Sequence, residues 1–467
     1  MGPILLSSST RGTSAPTFTP HPPSNRITHW IEQHSLQTFA LLSVAYATVV
    51  VMLSHYKLLW LDELITMHIA QLGSGQAIWN ALAQAADPNP PLTHLAVLGS
   101  MRLFGTSELA LRVPAMLGYW IGLAALFLFL RRHVPATWAL AGVIFSMANA
   151  SFDYSYESRS YAIFYGMAML AVLCWSEAVD PSRSRIHRHI ALAGMTLALA
   201  AGISTNYFAV LAFFPVAGGE LARTLARSQG LRRNHRPVRG VIELRVWAAF
   251  AVAASPLLLF LQLIRRSIAQ FAPHAWNKVS LDQVFDSYLQ MVEVILFPVV
   301  ALILLYALMT IAARRPQLMP RGSRWLVSLN RNRPSPPALT LTLHEGVAVF
   351  LLMSYPFLGY IVAKLHGGML SPRFVIPMCL GFAITGTVIA YSLFGHLHSA
   401  SVIALALISA VFIGRVIAVG HDYREQRKTF MQVLGDLPAA AGNRPIVVAD
   451  PLMVLTLQHY APRSVAS

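Results

Sequence analysis

Trp60-Leu61-Asp62-Glu63-Leu64-Ile65-Thr66-Met67-His68 follows directly on an apolar run, Thr38 to Ser54. Two adjacent carboxylates at the mouth of a hydrophobic segment are costly there, and charges at that depth mark functional sites. Neighbouring helical residues point about 100° apart, so one carboxylate can look into a cavity while the other orients or charges it. The plainer alternative is that Asp62 N-caps a helix over residues 63–71, with Glu63 favouring its positive end.

Composition places this corner in a membrane. The chain has 467 residues, of which 55% are hydrophobic and only 12% charged, and a mean hydropathy of +0.55. A soluble protein would carry about 25% charged residues. The predicted fold class is all-α: a polytopic helical membrane protein. The net charge of +16 does not indicate nucleic acid, because the basic residues cluster in short loops between apolar runs, as orientation signals do. Cys174 and Cys379 lie inside apolar runs, which leaves no disulfide framework or CxxC metal site.

A span needs about 20 apolar residues. The candidates are 37–55, 109–130, 134–151, 159–179, 190–205, 207–222, 246–264, 291–312, 345–363, 374–394 and 399–419, about eleven helices. Pro91–Phe104 is too short, and with His94 and Arg102 too polar, so it is expected to lie along the surface as an interfacial helix. Excluding it brings Arg131-Arg132, Arg183–Arg188, Arg223–Arg245 and Arg314–Arg333 to one side, the cytoplasmic one by the positive-inside rule. Arg265-Arg266 is the exception.

Three regions follow. Residues 1–35, rich in Ser, Thr and Pro, are expected to be a disordered cytoplasmic tail. Residues 36–420 form the membrane domain, and residues 421–467 an outer-face tail. In that tail Pro445–Asp450 is expected as a strand and Met453–Tyr460 as a helix, a short α/β-like segment.

Outer-face segments hold the residues suited to chemistry. Asp153 and Glu157 are four apart, so a helix would put them on one face, with Arg159 adding a paired charge. A belt of interfacial tyrosines is the plainer reading. Asp87-Pro-Asn-Pro-Pro91 is a rigid turn into the interfacial helix. Lys364, Gly367, Gly368 and Arg373 could hold a phosphate by charge and backbone amides, or could snorkel to ordinary headgroups. His68 follows Glu63 by five residues, and no HxxxH or HExxH pattern appears. A divalent metal has no motif of its own here, and neither GxGxxG nor a Walker A loop is present.

These pieces include Asp62-Glu63, Asn89-Pro-Pro91-Leu and Phe104-Gly-Thr-Ser-Glu108-Leu-Ala-Leu-Arg112-Val-Pro114. Tyr156-Glu-Ser-Arg159-Ser-Tyr161, Ser204-Thr-Asn-Tyr207 and the later Ser371-Pro-Arg373-Phe complete the set. Together they resemble the C-type superfamily of membrane glycosyltransferases. The bacterial branch related to dolichyl-phosphate-mannose–protein mannosyltransferases and aminoarabinose transferase is the nearest match. The likeness covers most of residues 55–210 and thins afterwards.

The resemblance implies transfer of a sugar from a polyprenyl-phosphate carrier to an acceptor (protein, lipid or polysaccharide) on the outer face of a bacterial inner membrane. Asp62 would be the general base of an inverting displacement, and Glu63 would tune the pocket, with one carboxyl raised by the other. Arg373 and Lys364 would hold the lipid phosphate, while Asp153, Glu157, Arg159 and Tyr207 would line the substrate site. Asn206 stands where many relatives carry a His. Charges in a membrane cavity also suit a transporter or flippase of lipid-linked saccharides, which should show mid-span acids and inverted repeats. A non-catalytic assembly subunit is the third class.

Overall fold

The computed structural model describes residues 26–462 apart from 234–241, 272, 274–278, 294–303, 305–340, 367–368, 396–399, 443–447, 449 and 451. Among the described residues every regular element is helical. In order these are α1 (Arg26–Gln33), α2 (Ser35–Tyr56), α3 (Leu61–Gln71), α4 (Gly75–Ala83), α5 (Pro91–Phe104) and α6 (Glu108–Arg131). Then come α7 (Ala136–Met147), α8 (Tyr161–Val179), α9 (Arg185–Thr205), α10 (Phe213–Arg233), α11 (Leu244–Leu259) and α12 (Leu261–Phe271). The last are α13 (Leu343–Met353), α14 (Tyr355–His366), α15 (Met378–Phe394), α16 (Ala400–Ala441) and α17 (Leu452–Tyr460). Short 3₁₀ turns occupy Ala150–Tyr156, Tyr207–Ala212 and Pro372–Phe374.

Among the described residues six helices are long and apolar enough to cross a membrane, and up to eight spans result if each bent pair counts as one. The pairs are α11 with α12, bent by 56°, and α13 with α14, bent by 60°. Pro256 lies inside the first pair, and Pro356, three residues past Met353, breaks the second. α7 and α15 are apolar but shorter. Of the eleven expected spans, 291–312 lies almost wholly outside the described residues.

The paths of α6 and α8 position the site. Both start at the same end and run side by side, because small residues let their backbones touch. A Cβ on Gly166 would overlap the Gly118 carbonyl, and one on Gly122 would strike the Tyr165 ring. α9 returns toward that end, where the Thr93 hydroxyl of α5 donates to the Thr205 carbonyl at 3.2 Å. Pro91 at the first position starts α5, and Gly105 with φ 81° ends it.

The opposite end carries a second set of charges. Arg132 pairs with Asp180 at 3.1 Å, Arg188 with Glu243 at 2.9 Å and Arg223 with Glu243 at 2.8 Å. The basic loops there are thus partly neutralised by buried or half-buried acids.

Two expectations are corrected. Residues 26–33 form α1 rather than disordered tail, held by Glu32, which accepts from Arg131 at 3.0 Å. Residues 1–25 lie outside the described residues. No boundary falls at residue 420: α16 continues to Ala441 as one helix, because no proline interrupts it before Pro438 and Gly442 ends it with φ 57°. The expected strand Pro445–Asp450 falls mostly outside the described residues, whereas the helix expected over Met453–Tyr460 is α17.

Candidate functional site

The entry to α3 departs from the simplest reading of its sequence. Trp60, extended at φ −97° and ψ 171°, is the N-cap. Glu63, three residues on, accepts the Trp60 N–H through Oε2 at 3.4 Å, the reciprocal half of a capping box. Asp62 is therefore not the cap. It sits at the second helical position, where its side chain is free of backbone duty.

Glu63 is buried, not part of an open pocket. Arg112, also fully buried, grips it with two bonds of 2.8 Å, Nε to Oε1 and Nη2 to Oε2. The Ser158 amide donates to Oε1 at 2.6 Å. The remaining Arg112 donors reach the carbonyls of Ser54 at 2.7 Å, Lys57 at 2.9 Å and Leu58 at 3.1 Å. The Arg112 guanidinium thus staples the end of α2 and the loop before α3, and its partner Glu63 holds the loop before α8. Burial alone would raise the Glu63 carboxyl, but the Arg112 charge and hydrogen bonds outweigh it and hold Glu63 below the ordinary carboxylate range. The expected mutual raising of the Asp62–Glu63 pair does not occur at Glu63, because its charge is already spent on Arg112.

Asp62 faces the open corner. Its Oδ2 is 3.2 Å from Arg373 Nη1 and 3.7 Å from Arg159 Nη2. Asp62 and Arg373 side chains are 21% and 23% exposed, so both meet solvent. The Arg373 guanidinium lies within 5.5–5.9 Å of the ring centres of Trp60, Tyr161 and Phe374, close enough for cation–π attraction. Arg159 is more enclosed. Its Nη1 donates to Asp87 Oδ2 at 2.8 Å, to Thr66 Oγ1 at 3.1 Å and to the Asp62 carbonyl at 3.2 Å.

Asp87 is buried in the proline-rich turn, where its Oδ1 accepts from the Asn89 amide at 2.8 Å and from Asn89 Nδ2 at 2.6 Å. Burial pushes its carboxyl up, but Arg159 more than compensates and holds it low. The Nε atoms of Arg159 and Arg373 make no hydrogen bond among the described residues.

The other expected site residues are placed differently. Asp153 and Glu157 do not share a helix face, because Ala150–Tyr156 winds as a 3₁₀ turn and Glu157 is extended. Asp153 accepts from Tyr156 Oη at 2.8 Å and pairs with Arg415 of α16. Glu157 is buried against the Lys57 ammonium; burial pushes its carboxyl up and Lys57 offsets this only in part. Tyr207 is half-buried and packs on the apolar cluster around α3, α4 and α5. Lys364 is exposed on α14, with its ammonium 5.9 Å from the Tyr360 ring centre. Gly367 and Gly368 lie outside the described residues. Among the described residues of that segment, only Arg373 is brought to Asp62. Asn206 caps the turn Tyr207–Ala212, accepting the Phe208 amide at 2.9 Å and donating to Ser160 Oγ at 2.8 Å.

Several side chains that build this corner went unassigned in the sequence. Arg112 and His94 carried a signal, since a charge or imidazole in an apolar helix needs a partner. His94 is fully buried beside Asp87. Trp60 and Tyr161 carried none beyond adjacency to Asp62 and Arg159. Among the described residues, no three His, Cys, Asp or Glu side chains converge to hold a metal. A cavity of about 970 Å³ opens away from the corner, between α16 and α17, lined by Phe430, Leu434 and Leu457 with Leu58 at its edge.

Chemically, the corner offers an accessible carboxylate that can take a proton and two guanidinium groups that can bind an oxyanion. No family model and no curated protein matches the chain. Among solved structures it is similar to ArnT from Cupriavidus metallidurans in the apo state, at 16% identity and a TM-score of 0.45, over 91% of this chain and 68% of that one. The same enzyme bound to undecaprenyl phosphate gives 16% identity and a TM-score of 0.45, over 90% and 68%.

Proposed function

We propose that the chain transfers a sugar from a polyprenyl-phosphate carrier to an acceptor hydroxyl at the outer surface of a bacterial inner membrane. One observation carries this reading: Asp62 Oδ2 lies 3.2 Å from Arg373 Nη1, in a corner open to solvent and walled by Trp60, Tyr161 and Phe374. The motifs that resemble C-type glycosyltransferases support it from the sequence.

An inverting displacement needs a base on one side of the anomeric carbon and a cation for the departing phosphate on the other. In this reading the carrier phosphate takes Arg373, whose unbonded Nε and fork geometry suit two phosphate oxygens. That exchange parts Arg373 from Asp62 and frees the carboxylate. Asp62 then accepts the acceptor's hydroxyl proton as that oxygen bonds to the anomeric carbon and the carbon–oxygen bond to the phosphate breaks. The pair leaves with the carrier phosphate, held by Arg373. The aromatic walls suit the face of a sugar ring. Glu63 acts from behind by fixing the helix that presents Asp62. Asp153, Glu157, Tyr207 and Lys364 are not needed for this step.

The reading is tested by incubating purified protein with a panel of synthetic polyprenyl-phosphate sugars and acceptors, following release of carrier phosphate together with a new glycoside. Both products should form with one donor of the panel. Movement of intact donor across vesicle bilayers, with no donor cleaved, would make the protein a transporter instead.

A further inference from the structure

Arg159 stands between two carboxylates and is shared unequally. Its Nη1 is 2.8 Å from Asp87 Oδ2, while its Nη2 stays 3.7 Å from Asp62 Oδ2. Asp87 is itself fixed by Asn89 and by the prolines on either side of that residue. The Asp87 and Arg159 side chains are 2% and 6% exposed, whereas Asp62 is open. We propose that Asp87 is a positioning residue: by holding Arg159 in a buried ion pair it keeps that guanidinium from closing onto Asp62, and so leaves Asp62 able to accept a proton.

The argument is electrostatic. A guanidinium at hydrogen-bonding distance stabilises an ionised carboxylate and makes it a poorer base. Arg159 needs to move less than about 1 Å to make that contact, and its free Nε shows that its bonding is not saturated. With Asp87 in place, the charge is spent at 2.8 Å inside the protein, and Asp62 feels a pair rather than a bare cation.

The other groups around Asp62 do not substitute for Asp87. Arg373 faces it from the 3₁₀ turn Pro372–Phe374, and the Tyr161 phenol from α8. On α3 itself, Glu63 is turned to Arg112, and His68 lies near His459 of α17. On α5, His94 lies beside Asp87 and Arg102 donates to the Gly73 carbonyl. Tyr460 of α17 serves Glu108 and the Leu59 amide, and Lys57 serves Glu157. α4 carries no titratable residue.

The role in catalysis rests on Asp62 being the base, but the charge arrangement is testable without any substrate. The titration of Asp62 is followed by infrared difference spectroscopy of the purified protein, its band identified by loss in Asp62→Asn. Asp87→Asn is expected to move that titration to lower pH by roughly one to three units, as an unshared cation does. In active enzyme, the acid limb of the pH–rate profile moves with it. Asp87→Asn combined with Arg159→Gln removes the cation as well, and is expected to bring the titration to the wild-type position or above. If the single variant does not fold, the double, which leaves no unpaired buried charge, decides alone. An unmoved titration in a folded single variant, or a double that titrates below wild type, overturns the inference. Failure of the wild type to transfer sugar would remove the proposed function and leave the titration result standing.

Discussion

Asp62 and Arg373, 311 residues apart in the chain, meet at 3.2 Å in a solvent-open corner. Each is the group the other's chemistry must displace. In the proposed reaction the carboxylate stays paired until something takes the guanidinium, and a phosphate is the competitor that the fork geometry favours. Substrate binding and activation of the base are thereby the same event in the proposed reaction.

Arg373→Ala should weaken binding of a polyprenyl phosphate roughly 10- to 100-fold, the loss of a charge-assisted bond of about 1.5–3 kcal/mol. Arg373→Lys should recover part of this, since the charge stays and the fork is lost. Titration of lipid phosphate against tryptophan fluorescence reads both, with Trp60 beside the guanidinium as reporter. Equal affinity in all three proteins would make Arg373 a surface residue without a ligand.

Glu63→Gln should cost stability, although the sequence suggested only a tuning role. It leaves Arg112 as an uncompensated buried charge, a change that typically costs about 3–5 kcal/mol. The pH dependence has a definite sign. Glu63 is held below its ordinary value of 4.5, so its contribution is fully present above that value and is lost as pH falls through the lower folded value. The melting-temperature gap between wild type and Glu63→Gln should thus be constant from neutral pH down to about pH 5 and shrink only in stronger acid. A gap that closes between pH 7 and 6 would show that Arg112 does not keep Glu63 ionised.

Much of this corner was legible in the sequence, and the parts that were not share a cause. The bounds of α5 followed from Pro91 and Gly105, which act locally. Charge at membrane depth singled out Asp62 and Arg373, which the fold brings together. The partners of Asp153 and Glu157 did not: Arg415 lies 262 residues away and Lys57 lies 100 away, and no local pattern encodes such pairings. Helical spacing suggested a shared face, yet the Ser- and Tyr-rich segment winds as a 3₁₀ turn, where that spacing does not apply. Asp62 looked like a cap because Asp is a strong capping residue. Trp60 holds that place because Glu63 supplies the bond from inside the helix.

Orientation is predicted from the two ends of the bundle. Gln76, exposed on α4, belongs to the Asp62 end, and Arg185, exposed at the start of α9, to the other. A cysteine at position 76 should react with a membrane-impermeant maleimide on intact cells, and one at position 185 only after permeabilisation. The reverse pattern would put Asp62 in the cytoplasm and remove the outer-face reading.

Asp62→Asn tests the central claim most directly. Asn keeps the size of the side chain, and position 62 is not the helix cap, so melting temperature should stay close to wild type, and donor-lipid binding should be kept or tightened because the carboxylate no longer competes for Arg373. The amide cannot take the acceptor's proton, so sugar transfer should fall by about 10²- to 10⁴-fold, the usual contribution of a general base. Transfer at near the wild-type rate in folded, donor-binding Asp62→Asn protein would contradict the account.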